Sequence, residues 1–342
     1  MASKETTLKD LAARLNTSIS TVSRALQDHY SISAKMKKRV NDLARELNFR
    51  PNTFALNLLK NKSFVIGVIV PEIAHNYYSK VLAGIEDAAI KSGYNVMFCV
   101  SNESAQRETE VISTLVHGRV DGLLIAPSKE TYDYLHFKVF EEKNIPIVFF
   151  DRYCEGLNVS KVLINDYRGA YKAVEHLILT RRKRIAHIAG PAGLSNTIKR
   201  QSGYIDALKD YGIAFDEHLL IHCNLTKSDA TNCVKKLLSL PEAPDAIFTY
   251  NSYIAFEGIG TVKNAGLKIP DDIAFVGFAN EPIISYIEPQ LTAVIPPAYV
   301  LGQEAVKLLL KKMDPKTNAN SAETIILENE FVVRGSSVKK KA

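Results

Sequence analysis

Apolar residues recur at helical spacing over the first fifty positions of this chain. Leu8, Leu11, Ala12 and Leu15 make one stripe, Val22, Ala25 and Leu26 a second, and Met36, Val40, Leu43, Ala44 and Leu47 a third. Helices of two turns do not hold alone in water, so the first two must dock on their neighbours. Ser18 and Ser33 stand where N-caps belong. Asn16, between the first two stripes, tolerates the left-handed backbone of a tight turn. Pro51-Asn52 closes the third element, and "NTFALNLL" beyond it has a Leu-rich face of its own.

From Phe64 the pattern changes to short, unbroken apolar runs: "FVIGVIVP", "YNVMFCV", "DGLLIAP" and "IPIVFFD". Segments long enough for helices separate them, such as "SKVLAGIEDAAIKSG". This is the βαβ rhythm of a parallel sheet covered on both faces. It restarts after "VLIND" with "IAHIAGP", "LLIHC", "AIFTYN" and "IAFVGFAN". The pattern therefore predicts an all-α head followed by an α/β core of two doubly wound lobes. The chain should cross between lobes near Val162–Asn165, with return crossings near Pro289–Ala293 and Thr324–Leu327, and fray from Ser336 onward.

Charge sharpens this division. Residues 1–62 hold 12 Lys and Arg against 5 Asp and Glu, so the head carries +7 of a total of +6 and the rest is close to neutral. A basic head on a near-neutral body is the electrostatic footprint of nucleic-acid binding. It coincides here with a helix-turn-helix pattern. Once Val22 turns inward, Ile19, Ser20, Ser23, Arg24 and Gln27 lie on or beside the outward face of the second helix. There an arginine can take guanine bidentately and an apolar side chain can rest on a thymine methyl.

The chain resembles the LacI/GalR family of transcriptional regulators over nearly its whole length. The match is carried by "TLKDLAARLNTSISTVSRAL", "ISAKMKKRVNDLARELNFRPN", "IGVIVPEI", "RVDGLLIAPS", "VFFDR", "PDDIAFVGF" and "PQLTAV". The resemblance implies a helix-turn-helix head (1–50), a hinge helix (51–62) and a core like a periplasmic sugar-binding protein. In that core, 63–164 with about 293–325 make the first lobe. The second comprises 165–292 with about 326–338, and 339–342 form a frayed basic tail. The family's base-reading positions fall on Ser18, Ile19, Ser20, Ser23 and Arg24, and its backbone contacts on Thr7, Ser31, Ser33 and Asn52. Ala55 would meet the groove floor and Leu58 would wedge into a central base step. Asn16 stands where a turn glycine is usual, and Leu56 where many relatives have arginine.

By the same resemblance the effector cleft lies between the lobes, at the carboxyl ends of the strands. Its contacts map to Tyr77, Tyr78, Asp151, Arg152, Arg200, Asn251 and Asn280. Ala279 and Ser252 occupy slots where most relatives carry an acid, so the family's common sugar or purine contacts do not transfer. Arg200 then has the strongest claim, and an effector with a carboxylate, a phosphate or an extra sugar ring is expected.

The expected function is a sequence-specific regulator, with repression as the family's common outcome, that binds a palindromic double-stranded operator as a homodimer and answers to a sugar or sugar derivative. A solute-binding sensor protein and a sugar-handling enzyme are the alternatives. Against the enzyme, "GPAG" and "GIG" are neither a phosphate loop nor a full dinucleotide fingerprint, and no nucleophile elbow appears. No cofactor is expected, and no metal, because the eight histidines are scattered and Cys99, Cys154, Cys223 and Cys233 sit singly as small buried hydrophobes. The polar stretch Met1–Lys9 and the lack of a long apolar run predict no secretory signal, no membrane contact and a cytoplasmic protein.

Overall fold

The computed structural model describes residues 6–47, 49, 62–73, 76–317 and 321–338. They fall into two compact units, one ending at Ser63 and one beginning at Phe64. In the first unit α1 (Leu8–Arg14), α2 (Ile19–Leu26) and α3 (Ala34–Glu46) enclose a small core of Leu11, Val22 and Val40, packed with Ala12, Ala25 and Ala44. Local chemistry sets the helix ends. Thr7 and Asp10 form a reciprocal capping box, and Ser18 and Ser33 accept from Thr21 N and Met36 N. Asn16 takes φ 49°, in the left-handed region the turn requires. Residues 51–61 of the expected hinge, with Asn52, Ala55 and Leu58, lie outside the described residues.

In the second unit the described strands form two six-stranded sheets. The first contains β1 (Val65–Val70), β2 (Asn95–Val100), β3 (Gly122–Ile125), β4 (Ile147–Phe150), β5 (Ser160–Ile164) and β11 (Thr324–Leu327). Their order is β11-β5-β4-β3-β1-β2, parallel throughout. The second contains β6 (Ile185–Ala189), β7 (Leu220–His222), β8 (Ala246–Thr249), β9 (Ala274–Phe278), β10 (Thr292–Ile295) and β12 (Glu330–Val332). Their order is β12-β10-β9-β8-β6-β7, parallel except for the β10–β12 pair. The central strands are buried on both faces, which is why they read as unbroken apolar runs.

The chain passes from the first sheet to the second after β5, returns after β10, and leaves the first again after β11. Helices α4 (Asn76–Lys91), α5 (Ala105–His117), α6 (Lys138–Lys143) and α11 (Ala298–Met313) accompany the first sheet. The second is accompanied by α7 (Asp166–Leu179), α8 (Ser195–Asp210), α9 (Lys227–Leu238) and α10 (Ser252–Asn264). One apolar cluster joins both lobes, running from Ile66 and Val81 through Leu301 to Val174, Tyr204 and Phe248. Within it α4 and α11 touch backbone to backbone. A Cβ on Gly84 would lie 2.0 Å from the Tyr299 carbonyl oxygen, and one on Gly302 would lie 2.1 Å from that of Val81.

The expectation of fraying from Ser336 is corrected. Ser336 and Ser337 are buried, and the Ser336 hydroxyl accepts from Thr292 N at 2.8 Å while donating to the Phe275 carbonyl at 2.6 Å. Those bonds stitch the chain end into the second sheet. The proposed basic tail, 339–342, lies outside the described residues. Among the described residues no helix is long and apolar enough to cross a membrane.

Candidate functional site

Two places in the described structure bring the singled-out residues together. The first is the outer face of α2. Val22 and Ala25 point into the core, which leaves Ser18, Ile19, Ser20, Arg24 and Gln27 exposed and Ser23 half-buried. Ile19 keeps 48% of its surface in solvent, so its apolar side chain stands available on that face. Thr7, Ser31 and Ser33 are exposed too, but each hydroxyl already has a local bond. Thr7 and Ser33 cap helices, and Ser31 shares a 2.8 Å hydrogen bond with His29 Nδ1. Lys37 is held by Asp28, Nζ to Oδ1 at 2.8 Å, whereas Lys38 is exposed.

The second place is a cleft of about 590 Å³ between the two sheets, at the carboxyl ends of β1, β4, β8 and β9. Tyr77, Tyr78, Asp151, Arg152, Arg200, Asn251 and Asn280 all line it. Asp151 follows β4 with φ 61°, a left-handed conformation that is unusual outside glycine and common at working sites. Its two carboxylate oxygens accept separately from the tyrosines, Tyr77 Oη at 2.8 Å and Tyr78 Oη at 2.7 Å. Burial, reinforced by the charge of Asp151, holds both phenols well above the usual tyrosine range, so they act as fixed donors.

The arginines are already paired. Arg152 Nη1 donates to both Glu103 oxygens, at 3.0 and 2.9 Å, and to the Pro127 carbonyl at 3.3 Å. Its Nε stands 3.8 Å from Asp151 Oδ2 and is buried without a hydrogen-bond partner. Arg200 donates from Nε to Asp166 Oδ1 at 2.7 Å and from Nη1 to the Tyr250 carbonyl at 2.5 Å. Its guanidinium also lies 3.7 Å from the Phe278 ring centroid and 4.6 Å from that of Tyr250. Burial lifts the Asp166 carboxyl to about 6, against the opposing pull of Arg200.

The two asparagines have structural duties. Asn251 caps α10, its Oδ1 accepting from Ile254 N at 3.0 Å. Asn280 is clasped across the cleft by the first lobe. Asn76 Nδ2 and Lys80 Nζ donate to its carbonyl at 2.9 and 2.8 Å, and Lys80 also bonds its side-chain oxygen. Its amide nitrogen donates to the Pro296 carbonyl at 2.5 Å. Reading residue types alone misses several contributors: Asn196, which accepts from Tyr250 Oη at 3.1 Å, the Phe278 platform, and Asp166 and Glu103 as counter-ions. Asp166 and Tyr250 had a usable signal, since each follows an apolar run where a parallel strand ends. That Asp166 would pair with Arg200 had none. No described group lining the cleft has metal-ligand geometry; the described cluster that does, Cys223 with Asp229 and Cys233, lies outside its lining.

Comparison with known proteins places these two sites in context. Residues 7–52 match the model for bacterial regulatory proteins of the lacI family, and residues 63–333 match periplasmic binding proteins and the sugar binding domain of the LacI family. The HTH-type transcriptional repressor CytR of Escherichia coli (strain K12) is 31% identical over 332 residues, covering 97% of this chain and 96% of that protein. A solved complex of the transcriptional regulator CelR with cellobiose is similar at 25% identity, with a TM-score of 0.75, over 97% of this chain and all of that one (100%). The lac repressor dimer bound to operator and an anti-inducer shares the fold, with a TM-score of 0.87 at 24% identity, over 98% of this chain and 100% of that one.

Proposed function

The chain belongs to the LacI family of DNA-binding transcriptional regulators, and from that premise we propose that it is a repressor that grips a palindromic operator as a homodimer and is controlled by a neutral sugar in its cleft. The family consists of regulators and not enzymes, and the function follows from two sites in one chain. The observation that carries the effector class is the state of the arginines. Arg200 is matched by Asp166 and Arg152 by Glu103, while Glu72 and Glu281 add negative charge to the lining. Among the described lining residues both arginines already have carboxylate partners, so a phosphate or carboxylate would have to compete for them. A polyhydroxyl ligand instead meets polar groups such as Asp151 and Asn196 beside the aromatic side chains of Tyr77 and Phe278, and the CelR complex with cellobiose favours more than one ring.

On the DNA, Ile19, Ser20, Ser23, Arg24 and Gln27 read base edges. Ser18, at the N-terminus of the same helix, joins that base-reading set, while Thr7, Ser31, Ser33 and Asn52 set the register on the backbone and Ala55 and Leu58 work in the minor groove. The homodimer is supported by β2. This edge strand leaves Met97 and Phe98 exposed, and α4 leaves Ile90, an apolar edge suited to a second copy. An operator-binding role places the protein in the cytoplasm. The clasp on Asn280 ties one lobe to the other, a contact that an effector in the cleft can strengthen or break.

A thermal-shift screen of the full chain against monosaccharides, oligosaccharides and sugar phosphates tests the reading, since a ligand specific to the folded state raises its melting temperature. Neutral oligosaccharides should give the largest shift. A response confined to sugar phosphates would overturn the neutral class, and selection from random duplexes that returns no palindrome would overturn the operator.

A further inference from the structure

Two of the four cysteines, ten residues apart in sequence, meet at the edge of the second lobe. Cys223 follows β7 and Cys233 lies on α9; both are buried, Cys223 completely. Their sulfurs lie within 4.8 Å of one another, and Cys233 Sγ also lies 3.9 Å from the His222 carbonyl. Asp229, half-buried on the first turn of α9, completes a triangle in which a carboxylate oxygen and the two sulfurs all lie within 4.8 Å of one another. Oδ2 of Asp229 accepts from Asn224 N at 2.6 Å, which fixes the carboxylate while leaving a second oxygen to donate.

We propose that Cys223, Cys233 and Asp229 form a binding site for a thiophilic divalent cation of the zinc type, with water in the fourth position. A tetrahedral ion with metal–sulfur bonds of about 2.3 Å holds its sulfurs roughly 3.8 Å apart, within the 4.8 Å that bounds the donor atoms here. Two sulfurs among three donors select against magnesium and calcium, which require oxygen. Binding displaces both thiol protons to solvent. The segment between the two cysteines has a clear connection to the cleft. Leu225, at φ 67°, lines the cleft, and the Asn224 carbonyl accepts from Lys129 Nζ of the first lobe at 3.3 Å. An ion tying the two ends of this loop would hold that wall in place. This consequence rests on the cleft being the effector site; the ion site itself does not.

The test therefore uses metal alone. The reduced, chelator-stripped full chain is titrated with Co²⁺ and then Zn²⁺, with no sugar present. One Co²⁺ per chain should bind with the near-ultraviolet absorption of a thiolate-to-metal charge transfer, and Zn²⁺ should abolish that band. Cys233→Ser should lose it and Cys154→Ser should keep it. Groups that merely orient a ligand are worth 10–100-fold in metal affinity, so Asp229→Asn, which removes a direct donor, should bind at least about tenfold more weakly. Circular dichroism of the metal-free variants confirms that they fold. Cobalt bound without the charge-transfer band, a band that survives in Cys233→Ser, or unchanged affinity in Asp229→Asn would each overturn the site.

Discussion

Replacing Arg200 with methionine removes a guanidinium from a buried pair and leaves Asp166 without its counter-ion. In the native fold Arg200 Nε is 2.7 Å from Asp166 Oδ1, with both side chains almost fully excluded from solvent. Breaking such a pair from one side costs about 3–5 kcal/mol, because the remaining charge is uncompensated. The pH dependence gives the mechanism a signature. Burial raises the Asp166 carboxyl from 3.8 to about 6 in the folded protein, which at about 1.36 kcal/mol per unit amounts to roughly 3 kcal/mol. Because the folded state holds the proton more tightly, that stability is present below about pH 4 and is lost as the pH rises through about 6. Without Arg200 the opposing pull disappears and the window of loss moves to higher pH. The variant's penalty relative to the parent should therefore be up to about 2 kcal/mol larger at pH 7.5 than at pH 5, where Asp166 is largely protonated in both, because the parent's carboxyl stays ionised only over the roughly 1.5 pH units above 6 at about 1.36 kcal/mol per unit. Arg200→Met with Asp166→Asn should recover most of the loss at pH 7.5, a coupling that a double-mutant cycle measures directly. The chain has no tryptophan, so urea unfolding is best followed by far-ultraviolet circular dichroism. A penalty of equal size at both pH values, or additive single and double variants, would refute the pair as the source of the effect.

Arg24→Ala should cost about 1–3 kcal/mol on the operator and relax preference at one base pair per half-site, whereas Lys38→Ala should at most weaken all sequences alike; a base scan of the operator separates the two. Lys80→Ala removes one charged donor from the clasp on Asn280, and at about 1 kcal/mol after solvent screening it should weaken the sugar found by thermal shift roughly fivefold in calorimetry. Gly84→Ala places a methyl 2.0 Å from the Tyr299 carbonyl oxygen and should lower core stability by about 1–3 kcal/mol in urea unfolding, with the head's melting unaffected.

The parts of this molecule that were legible in its sequence are those written by neighbours along the chain. Asn16 at φ 49°, Ser18 and Ser33 on helix N-termini and the apolar stripes all act within a few residues, so the head could be read directly. The sheets were legible because burial on both faces leaves unbroken apolar runs. The positions that follow those runs, Asp151 and Arg152 after β4 and Asn280 near β9, do line the cleft. What those residues are free to do was not legible, because their partners are tertiary. Asn280 is clasped by Lys80, 200 positions away in sequence, and Ser336, expected to fray, is bonded to Phe275. Cys223 and Cys233 are too far apart for a spacing motif, and only a strand end packed against a helix face brings them together. The same limit applies to Arg200. Residue types alone make Arg200 an open fork for an anion, but in the fold its Nε is bonded to a carboxylate that lies 34 positions earlier. An arginine matched in this way has its charge balanced inside the fold, a property that residue type alone does not reveal.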